Sequence, residues 1–575
     1  MIRTPILKPL LYTLAIGLCL AGGVVLRFTD LEADPPLQFS SSAGCTFDGQ
    51  SNAHGARSYV RFGTLRPDEW DTFLYSPTYT LLQIPWFKVF GTGLCSTNAF
   101  AAMWSTIAML LAVLLFRHQG PLVMLAASLF FAFEFLGIQL GRVGLVENLV
   151  IVCMLASLCC LEIRRHAATG MFLAGLFAMA AVITKAIVPY FPLAAMTGVL
   201  FRAWQDGRRE GRITRCLLAR TGLYLLGILC AFLPWLLFYR LPNAEAIRDF
   251  GGEWVKSTMP HSMGQALAGM TTTSLFFNIG KIQNLWILAL PALAAIAALL
   301  VLRPRRLTAS GVALAAWLVG GSLFVALLRA NPLRYAFPLL PAVYGIIVYG
   351  FALLMGSRSL TIREGWKNAA VDLPAILACT LFIRYFVHYR PGFSLMPLLP
   401  GALPRIWELM LACLLLAALG WGLFRTVFWL ARRSTQPLPF WLKAVVALTV
   451  AVHFAEQNKE ALRQRSRQRQ HTIVQVSRML GEKYPGMIIA GTSACTAVIE
   501  NDGKAIRVTR PEWCNWDNPF ERFGITHTFI SDYAGEASRY FRLYPEAMTN
   551  AVYRESVNVC GFTYKIYETP AYRRP

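Results

Sequence analysis

TFDGQSNAHGARSYVRFG (residues 46–63) and SPTYTLLQIPWFKVFG (residues 76–91) lie in one long loop between the first two apolar segments of the chain. This loop runs from about residue 28 to about residue 96 and carries an acid, Asp48, together with aromatic residues and prolines. Nearly everything around it is apolar enough to lie in a membrane. A polar loop of this length beside lipid favours chemistry at the membrane surface.

The composition predicts a polytopic α-helical membrane protein. Of the 575 residues, 56% are hydrophobic, and the mean hydropathy is +0.48, which is far above the usual value for a soluble domain. A spanning helix needs about 20 mainly apolar residues. That pattern recurs up to residue 455 and predicts about thirteen transmembrane helices. Their predicted centres are residues 18, 107, 130, 153, 178, 195, 229, 294, 318, 345, 380, 415 and 447.

The first apolar segment, residues 10–28, imitates a signal peptide because it follows the basic residues Arg3 and Lys8. In a chain this hydrophobic, such a segment more often stays as a membrane anchor, and we expect it to be retained.

The distribution of charge predicts the topology. The formal net charge of +23 sits largely in alternate short loops, as the positive-inside rule requires of cytoplasmic loops. The N-terminus is then cytoplasmic, while the Asp48 loop and the C-terminal region lie outside. With the charge explained in this way, nucleic acid is rejected as a partner, and membrane lipids are expected instead. The basic inside segments are Arg164 with Arg165, residues 202–215, 303–306 and 358–367, and Arg425 with Arg432 and Arg433.

Two domains follow from the change in composition near residue 456. Residues 1–455 form the transmembrane domain, with an outer loop at 28–96 that carries surface helices and a second outer loop at 240–284. Residues 456–575 lose all apolar runs of membrane length and predict a small extracytoplasmic α/β domain. Its predicted strands lie in residues 486–493, 526–532 and 562–569, with a helix in residues 538–548.

Five of the thirteen cysteines lie outside the apolar spans. An oxidising exterior would permit a disulfide between Cys45 and Cys95, or one within the C-terminal domain. The C-terminal domain contains an odd number of cysteines, so one of them stays free or pairs elsewhere, and the pairing is left open. The C-terminal cysteines are Cys495, Cys514 and Cys560.

Three cations share the outer face with Asp48 under this topology. Arg142 lies in a tight turn, Lys185 ends another span, and Arg334 begins a third. Outer loops are usually poor in Lys and Arg, so a bound anion is one explanation. An anion with a long apolar tail is a lipid phosphate, which Arg meets with a planar fork and Lys with a point charge. The alternative is that each cation only anchors a helix end at the interface.

Asp48 is the candidate general base. It precedes a predicted surface helix, whose N-terminal end favours a carboxylate electrostatically, and an ionised acid can accept a proton from an incoming hydroxyl or amine. The alternative is ordinary turn chemistry, since glycine follows it. His54 does not share a helical face with Asp48 and is predicted to pack or to contact the acceptor. No cofactor or metal motif occurs, although carboxylates could hold a divalent ion without one.

The chain resembles the GT-C-fold glycosyltransferases, the group that contains the dolichyl-phosphate-mannose protein mannosyltransferases and the bacterial aminoarabinose transferases of lipid A. Similarity extends over most of the membrane region: a first span that ends in Arg27, a large outer loop, about thirteen spans and an outer C-terminal domain. Four short motifs carry it, in the same order along the chain. They are Asp48 with the following helix to Gly63, Arg142 with Glu147, Thr184 with Lys185, and Arg334 with Tyr335, Pro338 and Pro341.

Two positions depart from the family's pattern. Gly49 stands where the family has the second acid of an Asp-Glu pair, so that acid's role is absent or is supplied elsewhere, with Glu69 and Asp71 as candidates. Residues 75–78, with the sequence YSPT, replace a Lys-Pro-Pro-Leu type of motif. The resemblance is therefore to the general family, and substrate identity does not carry over.

The resemblance implies an inverting membrane glycosyltransferase. It would transfer a monosaccharide from a polyprenyl-phosphate donor to an acceptor lipid, glycan or protein on the outer side of a bacterial inner membrane. Asp48 would be the base, and Arg142, Lys185 and Arg334 would bind the donor phosphate. Residues that would contact the acceptor or shape the site are Glu147, His54, Tyr335, Glu69 and Asp71.

Two alternatives come from other functional classes. A transporter or flippase of lipid-linked substrates would place its charged residues along a path near the bilayer midplane, whereas these lie at the outer ends of spans. A non-catalytic membrane scaffold would bind partners through its outer domain, and Asp48 would then be freely replaceable.

Overall fold

The computed structural model describes residues 7–35, 48–70, 72–248, 307–328, 333–356, 469–508, 517–532 and 535–569, with a few single positions between them. Most of the described part is helical. Nine of the thirteen predicted span centres fall inside described helices; those at 294, 380, 415 and 447 lie outside the described residues, as do most of the second outer loop and Asp71.

The helices of the membrane region run in chain order from α1 to α14. Five described helices are long and apolar enough to cross a membrane, or six if α6 and α7, which meet at 54°, form one bent span. Their bounds are α1 Leu7–Phe28, α2 Asp48–Phe62, α3 Thr72–Tyr75, α4 Pro77–Phe90, α5 Leu94–Leu115, α6 Pro121–Phe133, α7 Phe135–Gly141, α8 Glu147–Leu161, α9 Ala167–Thr184, α10 Phe191–Glu210, α11 Ile213–Trp235, α12 Ala309–Leu327, α13 Leu333–Ala336 and α14 Leu340–Gly356.

Arg27 fastens α1 to its neighbours. Its guanidinium, in the last turn of the helix, is buried and donates to the Ser105 hydroxyl at 2.9 Å and to the Phe131 carbonyl at 2.8 Å. A buried cation is costly unless hydrogen bonds satisfy it, and here they come from α5 and α6. The end of α1, where the chain leaves for the Asp48 loop, is therefore held in place.

Small residues let α9 and α11 approach closely. A Cβ atom on Gly175 would lie 1.9 Å from the Tyr224 carbonyl oxygen, and one on Gly227 would lie 2.0 Å from the Phe172 carbonyl oxygen. Such contacts between helix backbones are typical of packing in membranes, where dispersion forces replace the hydrophobic effect. The apolar core extends from this pair through α8, α10, α12 and α14.

The C-terminal part contains a five-stranded mixed sheet with the strand order β2-β1-β3-β5-β4. β1 pairs in parallel with β2 and β3, and β5 pairs antiparallel with β3 and β4. The elements are α15 Thr472–Lys483, β1 Ile488–Ala490, α16 Ala494–Ala497, β2 Lys504–Ile506, α17 Pro519–Phe523, β3 His527–Ser531, α18 Glu536–Leu543, α19 Pro545–Thr549, β4 Val552–Val559 and β5 Phe562–Glu568.

This sheet has two strands more than the sequence predicts. β2 has only three residues, too few for a periodic signal, and β4 is largely exposed along its length, so neither shows the apolar pattern of a buried strand. The single helix predicted for residues 538–548 is divided at Tyr544, because Pro545 cannot continue the hydrogen bonding of the preceding turn.

The helix α2 differs from the sequence-based expectation in its burial. A surface helix is predicted, whereas residues 49–58 are all buried. The physical reason is that α2 is covered on two sides: α4 and α5 pack against it from the membrane region, and α16 packs against it from the C-terminal part. The mean polarity of the helix suggested exposure, but polar side chains of α2 instead contact the membrane region and the C-terminal part.

Candidate functional site

Asp48 is the first residue of α2, at the end where the helix dipole favours a negative charge. Arg334, in the short helix α13, donates from Nη1 to Asp48 Oδ2. The two side chains are 14% and 19% exposed, so the ion pair is largely shielded but still open to solvent on one side. Residues separated by 286 positions in the chain therefore meet at one point.

Lys185 and Glu147 form a second ion pair. Lys185 follows the last residue of α9, and its Nζ donates to Glu147 Oε1 at 2.6 Å. Glu147 opens α8 and is completely buried, which makes the ammonium group its necessary partner. Each pair thus joins a carboxylate in the first turn of one helix to a cation from another segment.

Tyr335 connects the two ion pairs. The Lys185 Nζ lies 5.9 Å from the centre of its ring, and the Arg334 Cζ lies 5.2 Å from the same centre. Both cations can therefore interact with one aromatic ring, and Tyr335 is largely buried. Asp48, Glu147, Lys185 and Arg334 converge around Tyr335.

The junction of α3 and α4 supports this cluster. The Ser76 hydroxyl donates to the Thr184 carbonyl at 2.8 Å, immediately before Lys185. The Tyr75 hydroxyl donates to Asn52 Oδ1, one helical turn after Asp48. The YSPT segment departs from the family's motif. It contacts the helix that begins at Asp48, through Asn52, and the backbone just before Lys185, through Thr184.

Arg142 is held at the end of α1. Its Nη2 donates to the Asp30 carbonyl, and the residue is only 5% exposed. It also lines a small cavity beside α2 with the amide side chains of Gln50 and Gln139 and with Asn98. The turn that follows Arg142 contacts α2 directly, since Asn52 Nδ2 donates to the Gly144 carbonyl at 2.9 Å.

His54 and Glu69 lie between α2 and the C-terminal part. The His54 Nε2 is 3.4 Å from Asp68 Oδ2, and the imidazole also faces the Cys495 thiol. The Glu69 carboxylate accepts from Arg522 Nη1 and from the Asn515 amide. Glu69 therefore pairs with the C-terminal part. Glu147 instead joins the charged residues around Tyr335, through its ion pair with Lys185.

Sequence reasoning missed several supporting residues, of which Asn52 and Ser76 are the clearest. Asn52 follows Asp48 by one turn on the same helical face, a spacing that could have pointed to it. Nothing local singles out Ser76. Among the described residues, no group of three or more His, Cys, Asp and Glu side chains is placed to hold a metal ion. Cys95 and Cys495 form no disulfide within that part of the chain; Cys45 and Cys514 lie outside it.

Taken together, the site holds two carboxylates and two cations around an aromatic ring, at a place where four helices begin or end. The cations can bind a phosphate group. An ionised carboxylate beside them can accept a proton. These are the two capacities that transfer from a phosphate-linked donor to a nucleophile requires.

No family model matches the chain, and no curated protein matches it. Among solved structures it is similar to ArnT from Cupriavidus metallidurans. The structure of ArnT bound to undecaprenyl phosphate gives a TM-score of 0.52 at 15% identity, covering 98% of this chain and 99% of that one. The apo structure gives 0.54 at 15% identity, covering 96% and 97%. A likeness at this identity shows the fold alone, and the fold that this chain shares with ArnT is the GT-C fold.

Proposed function

We propose that the protein is an inverting glycosyltransferase that uses a polyprenyl-phosphate sugar as donor. The observation that carries this proposal is the convergence of Arg334 and Lys185 on Tyr335, with Asp48 bound to one of the cations. The expected donor has a phosphate at the membrane surface and an apolar tail in the bilayer. A paired cation site next to a base candidate suits such a molecule.

The donor phosphate would bind between Arg334 and Lys185. Its oxygens compete with the carboxylates of Asp48 and Glu147 for the same two cations, because all of these acceptors are anions. Binding of the phosphate by Arg334 then frees the Asp48 carboxylate to face the acceptor. Arg142 completes the proposed set of cations, but its guanidinium already donates to the Asp30 carbonyl, so we expect a smaller contribution from it.

Transfer would proceed in one displacement at the anomeric carbon. The acceptor nucleophile forms a bond to that carbon while the bond from carbon to phosphate oxygen breaks, which inverts the configuration. Asp48 takes the proton of the nucleophile. Arg334 and Lys185 stabilise the charge that develops on the departing polyprenyl phosphate. Because a phosphate leaves as an anion, this step requires no separate acid.

Glu147 would supply the second carboxylate of the site, since position 49 carries no acid. Its ion pair with Lys185 holds the ammonium group beside Tyr335. We infer that Glu147 orients Lys185 towards the phosphate rather than taking the proton, because it is completely buried and already paired.

The test is Asp48→Asn, a change that keeps the shape of the side chain and removes its charge. The purified protein is reconstituted in lipid nanodiscs and assayed for release of undecaprenyl phosphate from a panel of undecaprenyl-phosphate sugars, with membrane extract as the source of acceptor. We expect a loss of at least about 100-fold in transfer, the usual range for a general base. Binding of undecaprenyl phosphate, measured by native mass spectrometry, should persist.

The matched control is Asp532→Asn, which removes an exposed partner of Lys565 in the C-terminal part. Its transfer rate should equal that of the wild type. Normal transfer by the Asp48→Asn variant would refute the assignment of the base. Failure of the wild-type protein to bind undecaprenyl phosphate would refute the proposed donor class.

A further inference from the structure

One face of α2 is directed to the C-terminal part of the chain. His54, Arg57 and Arg61 recur at intervals of three and four residues, a spacing that places them on the same side of a helix. Arg57 and Arg61 donate to residues of the C-terminal part. His54 faces Cys495 of that part and Asp68, whose carboxylate accepts from the Arg507 amide. Arg61 Nη1 donates to Asp502, and its Nε donates to the Thr92 hydroxyl at 2.7 Å.

Arg57 makes the most extensive of these contacts. It is 1% exposed, and its Nη2 donates to three backbone carbonyls: to Val498 at 2.7 Å, to Gly503 at 3.1 Å and to Asn501. Burial lowers the pKa of its guanidinium to about 9, with a smaller effect from Arg61 in the same direction. Three carbonyls that converge on one guanidinium nitrogen fix how deep the Arg57 side chain enters the C-terminal part, and they hold the helix that bears it.

His54 makes a second buried contact one turn earlier. Its imidazole lies between Asp68 and the Cys495 thiol, and all three residues are buried. Burial alone would lower the pKa of His54, but the charges of Cys495 and Asp68 outweigh it and raise that pKa to about 10. For Cys495, burial alone would raise the thiol pKa, and the facing imidazole lowers it. Asp68 in turn accepts from the Arg507 amide at 2.8 Å.

The N-terminal end of α2 meets the membrane region instead. Asp48 binds Arg334, and Asn52 binds the Gly144 carbonyl. The helix is therefore held by the C-terminal part through its middle and by the membrane region through its first turn. If the C-terminal part moved, the rigid helix α2 would move with it and would carry Asp48 along. The position of Asp48 therefore depends on the contacts that Arg57 makes.

We propose that the C-terminal domain is a positioning element for the reaction, which acts on Asp48 through α2, with Arg57 as the main positioning residue and His54 as the second. This inference rests on the proposed function of Asp48. Neither residue touches the cluster around Tyr335 through the contacts described above; their effect is on where the base stands. An acceptor would then find the base in place only when the C-terminal domain is docked.

The experiment replaces Arg57 in the full-length protein in nanodiscs. Arg57→Met removes the charge and the donors but keeps much of the length, and Arg57→Lys keeps a cation without the planar fork. Arg554→Met is the control, because Arg554 pairs with Glu568 on an exposed edge of the sheet. Three quantities are measured: hydrogen exchange of the amides in α2, binding of undecaprenyl phosphate, and kcat and KM for an undecaprenyl-phosphate sugar.

For Arg57→Met we expect amide exchange in α2 to rise by about 10-fold or more, as local opening becomes easier. The kcat should fall by roughly 100-fold, the cost of a displacement of about 1 Å in a reacting group. Binding of undecaprenyl phosphate and KM for the donor should stay within about 3-fold, since the phosphate is held by other residues. Arg57→Lys should lie between Arg57→Met and the wild type, and Arg554→Met should match the wild type.

Unchanged exchange in α2 would show that Arg57 does not hold the helix against the C-terminal part, whatever the transfer rate. Faster exchange with an unchanged kcat would overturn the positioning role. Loss of donor binding in Arg57→Met would also overturn the positioning role, because the variant would then have lost the site as a whole. If Arg57→Met does not fold, the same measurements are made on Arg57→Lys, which is the milder change. Absence of transfer by the wild type would instead count against the proposed function. The exchange measurement would still decide whether Arg57 holds α2 against the C-terminal part.

Discussion

Tyr335 has a lysine and an arginine from different segments on its ring, and a carboxylate is bound to each of these cations. Four charges in a largely buried place would repel or remain unpaired if their signs were not balanced. Here each cation neutralises one acid, so the site is stable as it stands. Under the proposed function, an arriving phosphate would compete with both acids for these cations, and the Asp48 carboxylate would be released from Arg334 to act as the base.

The lysine gives a direct test at this scale. Lys185→Met removes one of the two main phosphate contacts proposed above and should weaken binding of undecaprenyl phosphate by roughly 10-fold to 100-fold, the value of one charged hydrogen bond. Titration of the lipid phosphate in nanodiscs, followed by native mass spectrometry, measures it. Lys565→Met, which removes an exposed lysine paired with Asp532, is the control and should bind normally. Equal affinities for the two variants would mean that Lys185 only anchors its helix.

The sequence was informative about which residues to examine and uninformative about their partners. Lys185 and Arg334 stand out because cations are unexpected at helix ends that the positive-inside rule predicts to be outer, and Asp48 stands out as an acid in a long loop beside apolar segments. Their pairing joins positions 38 and 286 residues apart, and no local pattern encodes contacts at such separations. Glu69 shows the converse. It looked like a substitute for the missing acid because it is near in sequence, but it binds Arg522 in the C-terminal part.

At the scale of single elements, the start of α2 depends on its closeness to the turn after α7. A Cβ atom on Gly49 would lie 3.3 Å from the Gly144 nitrogen, and one on Gly144 would lie 3.0 Å from the Gly49 carbonyl and 2.7 Å from Thr97. These distances are tighter than ordinary contact. An acid at position 49 would crowd this turn, which gives a physical reason for the departure of Gly49 from the family's pattern.

Gly144→Ala should therefore push the first turn of α2 away from the turn at residue 144. We expect a loss of about 1–3 kcal/mol in the free energy of unfolding, typical of overpacking, and lower transfer because Asp48 moves with the helix. Gly222→Ala is the control, since a Cβ there meets no atom within 4 Å. Thermal unfolding and the transfer assay are measured on both variants. A Gly144→Ala protein as stable and active as the control would show that the turn yields without cost.

Helices were easier to predict than their surroundings. The helix after Asp48 is present, and its first residue is the acid, because capping and dipole effects act within one turn. Its burial could not be read from the same residues. Whether a polar helix faces water or another domain depends on what packs over it, and here residues 494–497 of α16 lie far along the chain. β2, a strand of three residues, was missed for a related reason: it is defined by pairing with β1.

At the scale of the whole molecule, alternating spans explain why the site residues meet. Asp48 follows α1, Glu147 opens α8, Lys185 ends α9 and Arg334 precedes α14. In a bundle whose helices alternate in direction, these positions lie at the same end. The contacts among them agree with one shared face. The opposite ends of the helices carry a separate set of ion pairs, including Arg220 with Asp206 at 2.7 Å.

The side of the membrane on which each face lies is a prediction from the positive-inside rule. Alkaline phosphatase fused to the C-terminus should be active, because it needs the oxidising exterior to form its disulfides. A fusion after Arg209, in the basic last turn of α10 that is predicted to be cytoplasmic, should be inactive. Enzyme assays on intact cells with comparable amounts of both fusions measure this. Activity in the second fusion alone would invert the topology and place Asp48 on the inside.

Hydrophobic length, the sign of charge and short-range helix signals are properties of neighbouring residues, so the chain alone was enough to predict an α-helical membrane protein and a set of charged candidates, while the GT-C fold was expected from the resemblance of four short motifs. The pairing of Asp48 with Arg334 and of Glu147 with Lys185, and the burial of α2 under the C-terminal part, depend on segments far apart in the chain. Such contacts arise only when helices pack, because the energy of a buried charge is decided by whatever partner the fold brings to it.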